Sequence, residues 1–106
     1  MTKFMCICVG GDVPDEKREQ NNQEWAAFMA SVDETGKMVD GAPFGPSKTL
    51  TAPDTARDFD WATDSDTSGY WIVEVETIDE AIALAKDAPH FKYGGTIEVR
   101  ELISMR

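Results

Sequence analysis

The chain has 106 residues, a length that predicts one domain built around a single core. Apolar residues make up 42% and charged residues 28% of the sequence, a balance that excludes a wholly disordered protein. The formal net charge of -10 marks an acidic protein whose field repels phosphate backbones and anionic lipid heads, so we expect neither nucleic acid nor a membrane as a partner.

The first predicted element is a strand over Lys3–Val9, an apolar run that a glycine pair closes. The run is too short to cross a membrane and lacks the cleavage site of a secretory signal, which predicts a cytoplasmic protein. Cys6 and Cys8 project from one face of this strand, roughly 7 Å apart by strand rise, and are poorly placed to bond to each other. We expect two buried reduced thiols, no metal site and no cofactor.

A first helix is predicted over residues 22–35, with Asn22 as its cap and Gly36 just past its end. Four large apolar side chains recur there at helical spacing: Trp25, Phe28, Met29 and Val32. The polar residues 13–23 have no apolar stripe, which predicts a loop or a weak helical lead-in.

The middle of the chain predicts irregular strands and an acidic loop. Residues 37–44 read as a strand disturbed by Gly41 and Pro43, which indicates an edge position or a bulge. Extended structure resumes over residues 48–51, and residues 53–69, with five aspartates, are predicted to form an exposed loop. The start of a calcium loop occurs at Asp64–Gly69, but its twelfth position is Val75 instead of a bidentate glutamate, so an EF-hand is excluded.

The C-terminal third predicts strand, helix and strand. Residues 70–76 alternate, with Trp71, Val73 and Val75 on one face and Tyr70 and Ile72 on the other.

Thr77 and Glu80 then form a capping box for a second helix over residues 78–88, which Pro89 ends. The last strand is predicted over residues 96–103, with Glu98 and Arg100 on one face as a structural ion pair or dimer contact.

The order strand, helix, strand, strand, helix, strand predicts an α+β fold, a ferredoxin-like βαββαβ sandwich with an antiparallel sheet. Two helices cover one face of that sheet. The other face carries apolar residues from the first strand together with Tyr70 and Ile72 and has no cover within the chain. This bare apolar face predicts association, most economically as a two-fold homodimer.

Two stretches carry a resemblance to a known family. GYWIVEVETIDEAIALAKDAPHFKYGGTIEVREL and DGAPFGPSKTL, within residues 69–103 and 36–52, resemble the YCII-related family. The resemblance implies a dimeric α/β barrel of two ferredoxin-like protomers, with one YCII-like domain spanning residues 1–106. Some members carry an acid/base histidine near the start of the first helix, but Trp25 stands at that position here, so this assignment does not transfer.

His90 and Asp40 are the candidate catalytic residues. His90, the single histidine, follows the second helix, where its imidazole could shuttle a proton or bind a ligand, or simply cap the helix and pack under the next turn. Asp40 lies in a strand-like segment near the sheet interior, where it could pair with His90 or bond its own backbone in a turn.

A ligand pocket between the first helix and the sheet is a further hypothesis, with plain core packing as its alternative. Its candidate lining consists of Trp25, Trp61 and Trp71, together with Phe28 and Phe44. Two functions remain open: a homodimeric small-molecule-binding or accessory module, which the missing helix-one histidine favours, and a small-molecule enzyme that uses His90 in acid/base chemistry.

Overall fold

The computed structural model describes residues 1–60 and 64–105. The strands are β1 (Thr2–Val9), β2 (Met38–Pro43), β3 (Lys48–Ala52), β4 (Thr55–Asp58), β5 (Thr67–Val75) and β6 (Thr96–Leu102). The helices are α1 (Arg18–Glu34) and α2 (Ile78–Ala85), and short 3-10 segments span Asp15–Lys17 and Pro89–Tyr93. No helix in the described ranges is long and apolar enough to cross a bilayer.

The main sheet has the strand order β2-β5-β1-β6, and every neighbouring pair is antiparallel. The strands β3 and β4 form a separate two-stranded hairpin inserted between β2 and β5. Without that insertion the order of elements is βαββαβ, so the predicted α+β ferredoxin-like sandwich is confirmed. The edge position of β2 agrees with its internal Gly41 and Pro43, which a central strand accommodates poorly.

The core lies between the sheet and the two helices. Alternation along β1 and β5 buries one face of each strand while the opposite face stays partly exposed. The buried apolar side chains of the two strands and two helices are Phe4, Cys6, Cys8, Trp71, Val73, Val75, Phe28, Val32, Ala81 and Ala85. The predicted inner face of β5 is therefore the face that the helices cover.

Helix α1 begins at Arg18 and not at residue 22, so part of the predicted lead-in 13–23 is helical. The first turn carries no apolar stripe and is exposed, with the Arg18 guanidinium 2.9 Å from the Asp15 carboxylate. Cooperative propagation from the apolar turns that follow explains why these polar residues join the helix.

Helix α2 ends at Ala85 instead of continuing to residue 88. Its predicted cap is present, since the Glu80 N–H donates to Thr77 Oγ1 at 3.3 Å. Ala88 is extended (φ -61°, ψ 136°), as expected for a residue before proline, and Pro89 opens the 3-10 segment.

The predicted acidic loop 53–69 is wrong in part, because it contains β4 and the first residues of β5. Arg57 of β4 donates two hydrogen bonds to Asp64, at 2.8 and 2.7 Å. This guanidinium lowers the pKa of the Asp64 carboxyl to about 2. One of the five aspartates is thus neutralised by a bidentate pair, which the charge count alone does not reveal. Trp61 lies outside the described residues.

Candidate active site

A cavity of about 440 Å³ lies on the helix-covered side of the sheet, where β1 and β5 meet the 3-10 segment Pro89–Tyr93. Its walls come from α1, from both central strands, from β2 and from the loop after β1. The lining includes Cys8, Asn21, Trp25, Met29, Trp71 and His90. None of the described lining residues is an aspartate, glutamate, lysine or arginine, so this is an uncharged, mainly apolar chamber with a few polar groups.

His90 reaches this cavity from the 3-10 segment, and the end of β1 fixes its ring. The Val9 carbonyl oxygen accepts a hydrogen bond from His90 Nε2 at 2.9 Å. Because a carbonyl oxygen only accepts, Nε2 must carry the hydrogen, and in the neutral imidazole Nδ1 is then the acceptor. The half-buried ring is therefore held in one tautomer by the backbone. This anchor differs from the helix-capping alternative, in which the ring would bond the last carbonyls of α2.

Two glycines make room for the imidazole. A Cβ added at Gly95 would lie 2.2 Å from His90 Nε2, and one added at Gly11 would lie 3.1 Å from His90 Cε1. Gly11 also has φ +84°, a conformation that L side chains rarely adopt. The ring thus lies against the bare backbone of these two neighbouring glycines. The two GG pairs in the sequence were the available signal for this arrangement, but Gly10-Gly11 and His90 lie at opposite ends of the chain, so the sequence alone does not bring them together.

Aromatic rings form the wall between α1 and β5. Trp25 lies edge-on to Trp71 with centroids 6.0 Å apart, and Phe28 packs 5.5 Å from Trp71 behind them. The Trp25 ring is also 6.5 Å from the imidazole of His90. Trp25 and Trp71 line the cavity, whereas Phe28 supports them from the core.

Two buried polar atoms in the described residues lack a hydrogen-bond partner, and both belong to residues that line this cavity. They are Trp71 Nε1, on a side chain 1% exposed, and Asn21 Oδ1 on α1. A buried polar group without a partner costs about 1–3 kcal/mol. Because both residues line one chamber, a bound molecule that moves part of its wall can supply the missing partners.

Asp40 is on the opposite side of the sheet. Its Oδ2 accepts a hydrogen bond from the Tyr70 hydroxyl at 3.1 Å, and its Oδ1 accepts one from the Gly41 N–H at 2.9 Å. No hydrogen bond or ion pair joins it to His90 in the described structure. Phe44, 48% exposed, stacks on Tyr70 with centroids 5.8 Å apart and does not line the cavity.

The two cysteines and the Glu98–Arg100 pair, the other groups considered from the sequence, have no partner that points to catalysis among the described residues. Burial raises the pKa of Cys6 to about 12 and that of Cys8 to about 11, so both are thiols at neutral pH. Arg100 donates to Glu98 at 3.0 Å on the exposed sheet face. No cluster of three or more metal-ligating side chains occurs among the described residues.

One ion pair holds the rim of the cavity. Lys92, two residues after His90, donates to Glu24 of α1, and this contact lowers the pKa of the Glu24 carboxyl. The pair ties the 3-10 segment to α1 at the residue directly before Trp25. Neither charge lines the cavity itself.

Comparison with known proteins agrees with this architecture. A solved structure of similar fold is 5-chloro-2-hydroxyhydroquinone dehydrochlorinase (TftG) from Burkholderia phenoliruptrix AC1100, in complex with 2,5-dihydroxybenzoquinone. The two chains are 20% identical over 91% of this chain and 90% of that one, with a TM-score of 0.51, a likeness of fold alone. No curated protein matches the sequence. The YCII-related domain matches residues 2–106, and the chain therefore belongs to the YCII-related domain family.

Proposed function

We propose that this protein is a homodimer that binds a small ring compound in the cavity between α1 and the sheet. The observation that carries the proposal is the pairing of aromatic walls with an imidazole locked in one tautomer inside a chamber of about 440 Å³. Small-molecule sites have volumes of about 300–1,000 Å³ and combine apolar walls with a few fixed polar groups. A chamber of this kind fits one six-membered ring with its substituents.

The structural neighbour supports the same class of ligand. TftG holds 2,5-dihydroxybenzoquinone, an oxygenated six-membered ring, on a fold that aligns with most of this chain. The aromatic walls that Trp25 and Trp71 provide suit such a ring, because aromatic groups pack favourably edge-on or offset against each other.

The binding proposal is tested by calorimetry with 4-methoxyphenol and by the shift of the thermal unfolding midpoint. A ligand at about 100 times its Kd adds about 2.7 kcal/mol to the free energy of unfolding. Met29→Trp, which fills the cavity, should abolish binding, while Ala27→Trp on the exposed side of α1 should retain it. An amide NMR spectrum establishes that both variants are folded. Unchanged binding by Met29→Trp, or no binding of ring compounds by the parent, would refute the proposed site.

The outer face of the sheet, on which no helix of the described chain packs, supports the proposed homodimer. Four apolar residues of β1 and β5 lie there, each partly exposed: Met5, Ile7, Tyr70 and Ile72. Contiguous apolar surface of this kind marks interaction sites, and a two-fold contact covers it in both copies at once. Sedimentation should give a dimer at micromolar concentration and a monomer for Ile72→Lys. A monomeric parent would contradict the dimer and leave the cavity proposal intact.

We place this dimer in the cytoplasm, where its two free cysteines stay reduced.

Acid–base catalysis in the same cavity is a second candidate function, and the fixed tautomer of His90 favours it. With Nε2–H committed to Val9, Nδ1 is the atom that can take a proton from a bound molecule. The Val9 carbonyl orients the ring, so this role does not depend on the predicted partner Asp40.

The catalytic role is tested with 1,4-cyclohexanedione in heavy water. His90 would move a proton from the carbon beside a carbonyl to Nδ1, with the electron pair going to the carbonyl oxygen, and a deuteron would return to the carbon. We expect proton NMR to show exchange about 10²-fold faster than with free imidazole, and His90→Gln to lose that rate while still binding the ring. Equal exchange by parent and variant would leave binding as the only function.

A further inference from the structure

We infer that the cavity selects an uncharged ring compound that carries both a hydrogen-bond-accepting oxygen and a hydroxyl group, recognised by the Trp71 indole N–H and the Asn21 side-chain carbonyl. This inference rests on the proposed function and names the chemistry of its ligand. Three observations carry it: the charge of the lining, the unpaired indole and the unpaired amide oxygen.

The lining disfavours an anionic ligand. The described residues around the cavity include no carboxylate, ammonium or guanidinium group. Lys92, at the rim, is paired with Glu24, and the chain as a whole carries a net charge of -10. An anion that enters would lose its hydration without gaining a cationic partner and would face the negative field of the protein. The neutral form of a ring compound is therefore favoured over its carboxylate.

The Trp71 indole requires an acceptor on the ligand. An indole N–H can only donate, and the side chain that carries it is 1% exposed and has no acceptor within the described protein. Trp71 itself is fixed in place, because its side chain is buried in the core and Phe28 packs against it edge-on. A ligand oxygen that accepts this hydrogen bond removes an unfavourable buried group, which a pure hydrocarbon ring of the same shape cannot do.

The Asn21 carbonyl requires a donor on the ligand. Its Oδ1 is closed to water and unpaired, one turn before Trp25 on α1. Since both atoms are closed to water, a ring reaches them only if a wall of the cavity moves, and we expect the partly buried Trp25 to move because Trp71 is fixed in the core. A hydroxyl can serve Asn21, and a second hydroxyl can donate to His90 Nδ1.

Calorimetric titration of three ring compounds into the parent and two variants tests the assignment. The probes are 4-methoxyphenol, which has an acceptor and a donor, 4-ethyltoluene, which has neither, and 4-methoxybenzoate, which is anionic. The variants are Trp71→Phe, which keeps an aromatic ring without the N–H, and Asn21→Leu, which keeps the volume without the carbonyl. Gln23→Leu, at an exposed position of α1, is the matched control for the second change.

We expect each cavity variant to lower the affinity for 4-methoxyphenol relative to 4-ethyltoluene by about 2- to 12-fold, the range of one neutral hydrogen bond. Gln23→Leu should leave that ratio unchanged, and 4-methoxybenzoate should bind the parent at least about tenfold more weakly than 4-methoxyphenol. In proton–nitrogen NMR, 4-methoxyphenol should move the Trp71 indole resonance downfield, a peak identified by its loss in Trp71→Phe.

The outcomes separate the two proposals. If all three probes fail to bind the parent, the proposed function falls and this inference falls with it. If 4-methoxyphenol binds but both variants change the two uncharged probes equally, or if the benzoate binds as well as the phenol, the cavity still binds rings but the recognition by Trp71 and Asn21 is overturned.

Discussion

The two faces of strand β5 differ in what completes them. Trp71 points toward the helices, is 1% exposed and forms a wall of the cavity. Its neighbours Tyr70 and Ile72 point the other way, remain partly exposed and pack with β1 residues that are also partly exposed. Helices of the same chain cover the inner face, whereas in the described residues no helix packs on the outer face, where only Phe44 stacks on Tyr70. One strand thus provides both a cavity wall and a surface suited to a second copy.

The outer face also holds Asp40, because β2 contains a register shift. Met38 pairs with Val73 on the inner side, yet Asp40 pairs with Ile72 on the outer side. Unbroken alternation from Met38 would have placed Asp40 opposite Trp71, facing the cavity. One extra residue at Val39 therefore separates the carboxylate from the imidazole.

Replacement of adjacent residues on the two faces should have unequal effects. Trp71→Ala should lower the free energy of unfolding by about 3–5 kcal/mol, since it removes a buried ring from the core. Ile72→Ala should have a smaller effect at high dilution and a larger one at high protein concentration, because its side chain is buried only when the outer face is covered.

Denaturant unfolding at several protein concentrations measures both effects. The loss in free energy of unfolding that Trp71→Ala causes, measured against the parent at the same protein concentration, should not change with that concentration. An Ile72→Ala deficit that does not depend on concentration would show that the outer face is finished within one chain, and the contrast between the faces would disappear.

Replacement of Gly95, which lies against the His90 ring, should change the free energy of unfolding by an intermediate amount. Gly95→Ala places a methyl group where the imidazole lies, so the ring must leave and its hydrogen bond to Val9 is lost. We expect a loss of about 1–3 kcal/mol in the free energy of unfolding, as for other overpacked sites.

A double-mutant cycle separates this clash from a general intolerance of side chains. In a His90→Ala background, Gly95→Ala should cost much less, because the ring that it meets is gone. Gly45→Ala, where nothing lies within 4 Å of the new Cβ, is the control. Equal costs for Gly95→Ala with and without His90 would contradict this contact between Gly95 and the ring.

Local patterns in the sequence predicted the parts of the fold that depend on periodicity and caps. The period of two in β5 and the capping box at Thr77 each depend on residues close together in the chain, and both are present in the structure. Extended structure was expected over residues 48–51, where β3 lies, but β4 was missed because it is short, polar and exposed, so it carries no alternation that a buried face would impose.

The site was predicted only in outline. Trp25, Trp71 and His90 were candidates, and all three line one cavity. Asn21 was not, because an isolated asparagine in a polar stretch has no signal until its surroundings are known. The Val9 carbonyl was likewise beyond reach, since a backbone acceptor 81 residues away has no residue-type signature.

The smallest expected effect comes from the hydroxyl of Tyr70. Tyr70→Phe removes only the exposed hydrogen bond to Asp40. It should therefore lower the unfolding midpoint less than Trp71→Ala or Gly95→Ala does. The same bond should be visible by titration, because the Asp40 carboxylate accepts from the phenol and raises the pKa of Tyr70. A raised pKa in the folded state stabilises the fold below about pH 10, the ordinary value for tyrosine, and this contribution disappears as the pH rises through the folded pKa.

Phenolate absorbance of the parent and of Asp40→Asn measures the shift directly. The variant keeps a hydrogen-bond acceptor but loses the negative charge, so Tyr70 should ionise at lower pH than in the parent. His90→Gln, on the other side of the sheet, should leave the Tyr70 titration unchanged. If His90→Gln moves the titration of Tyr70 as much as Asp40→Asn does, the two faces are coupled through β5, and the division of the polar residues between a cavity side and an association side would be wrong.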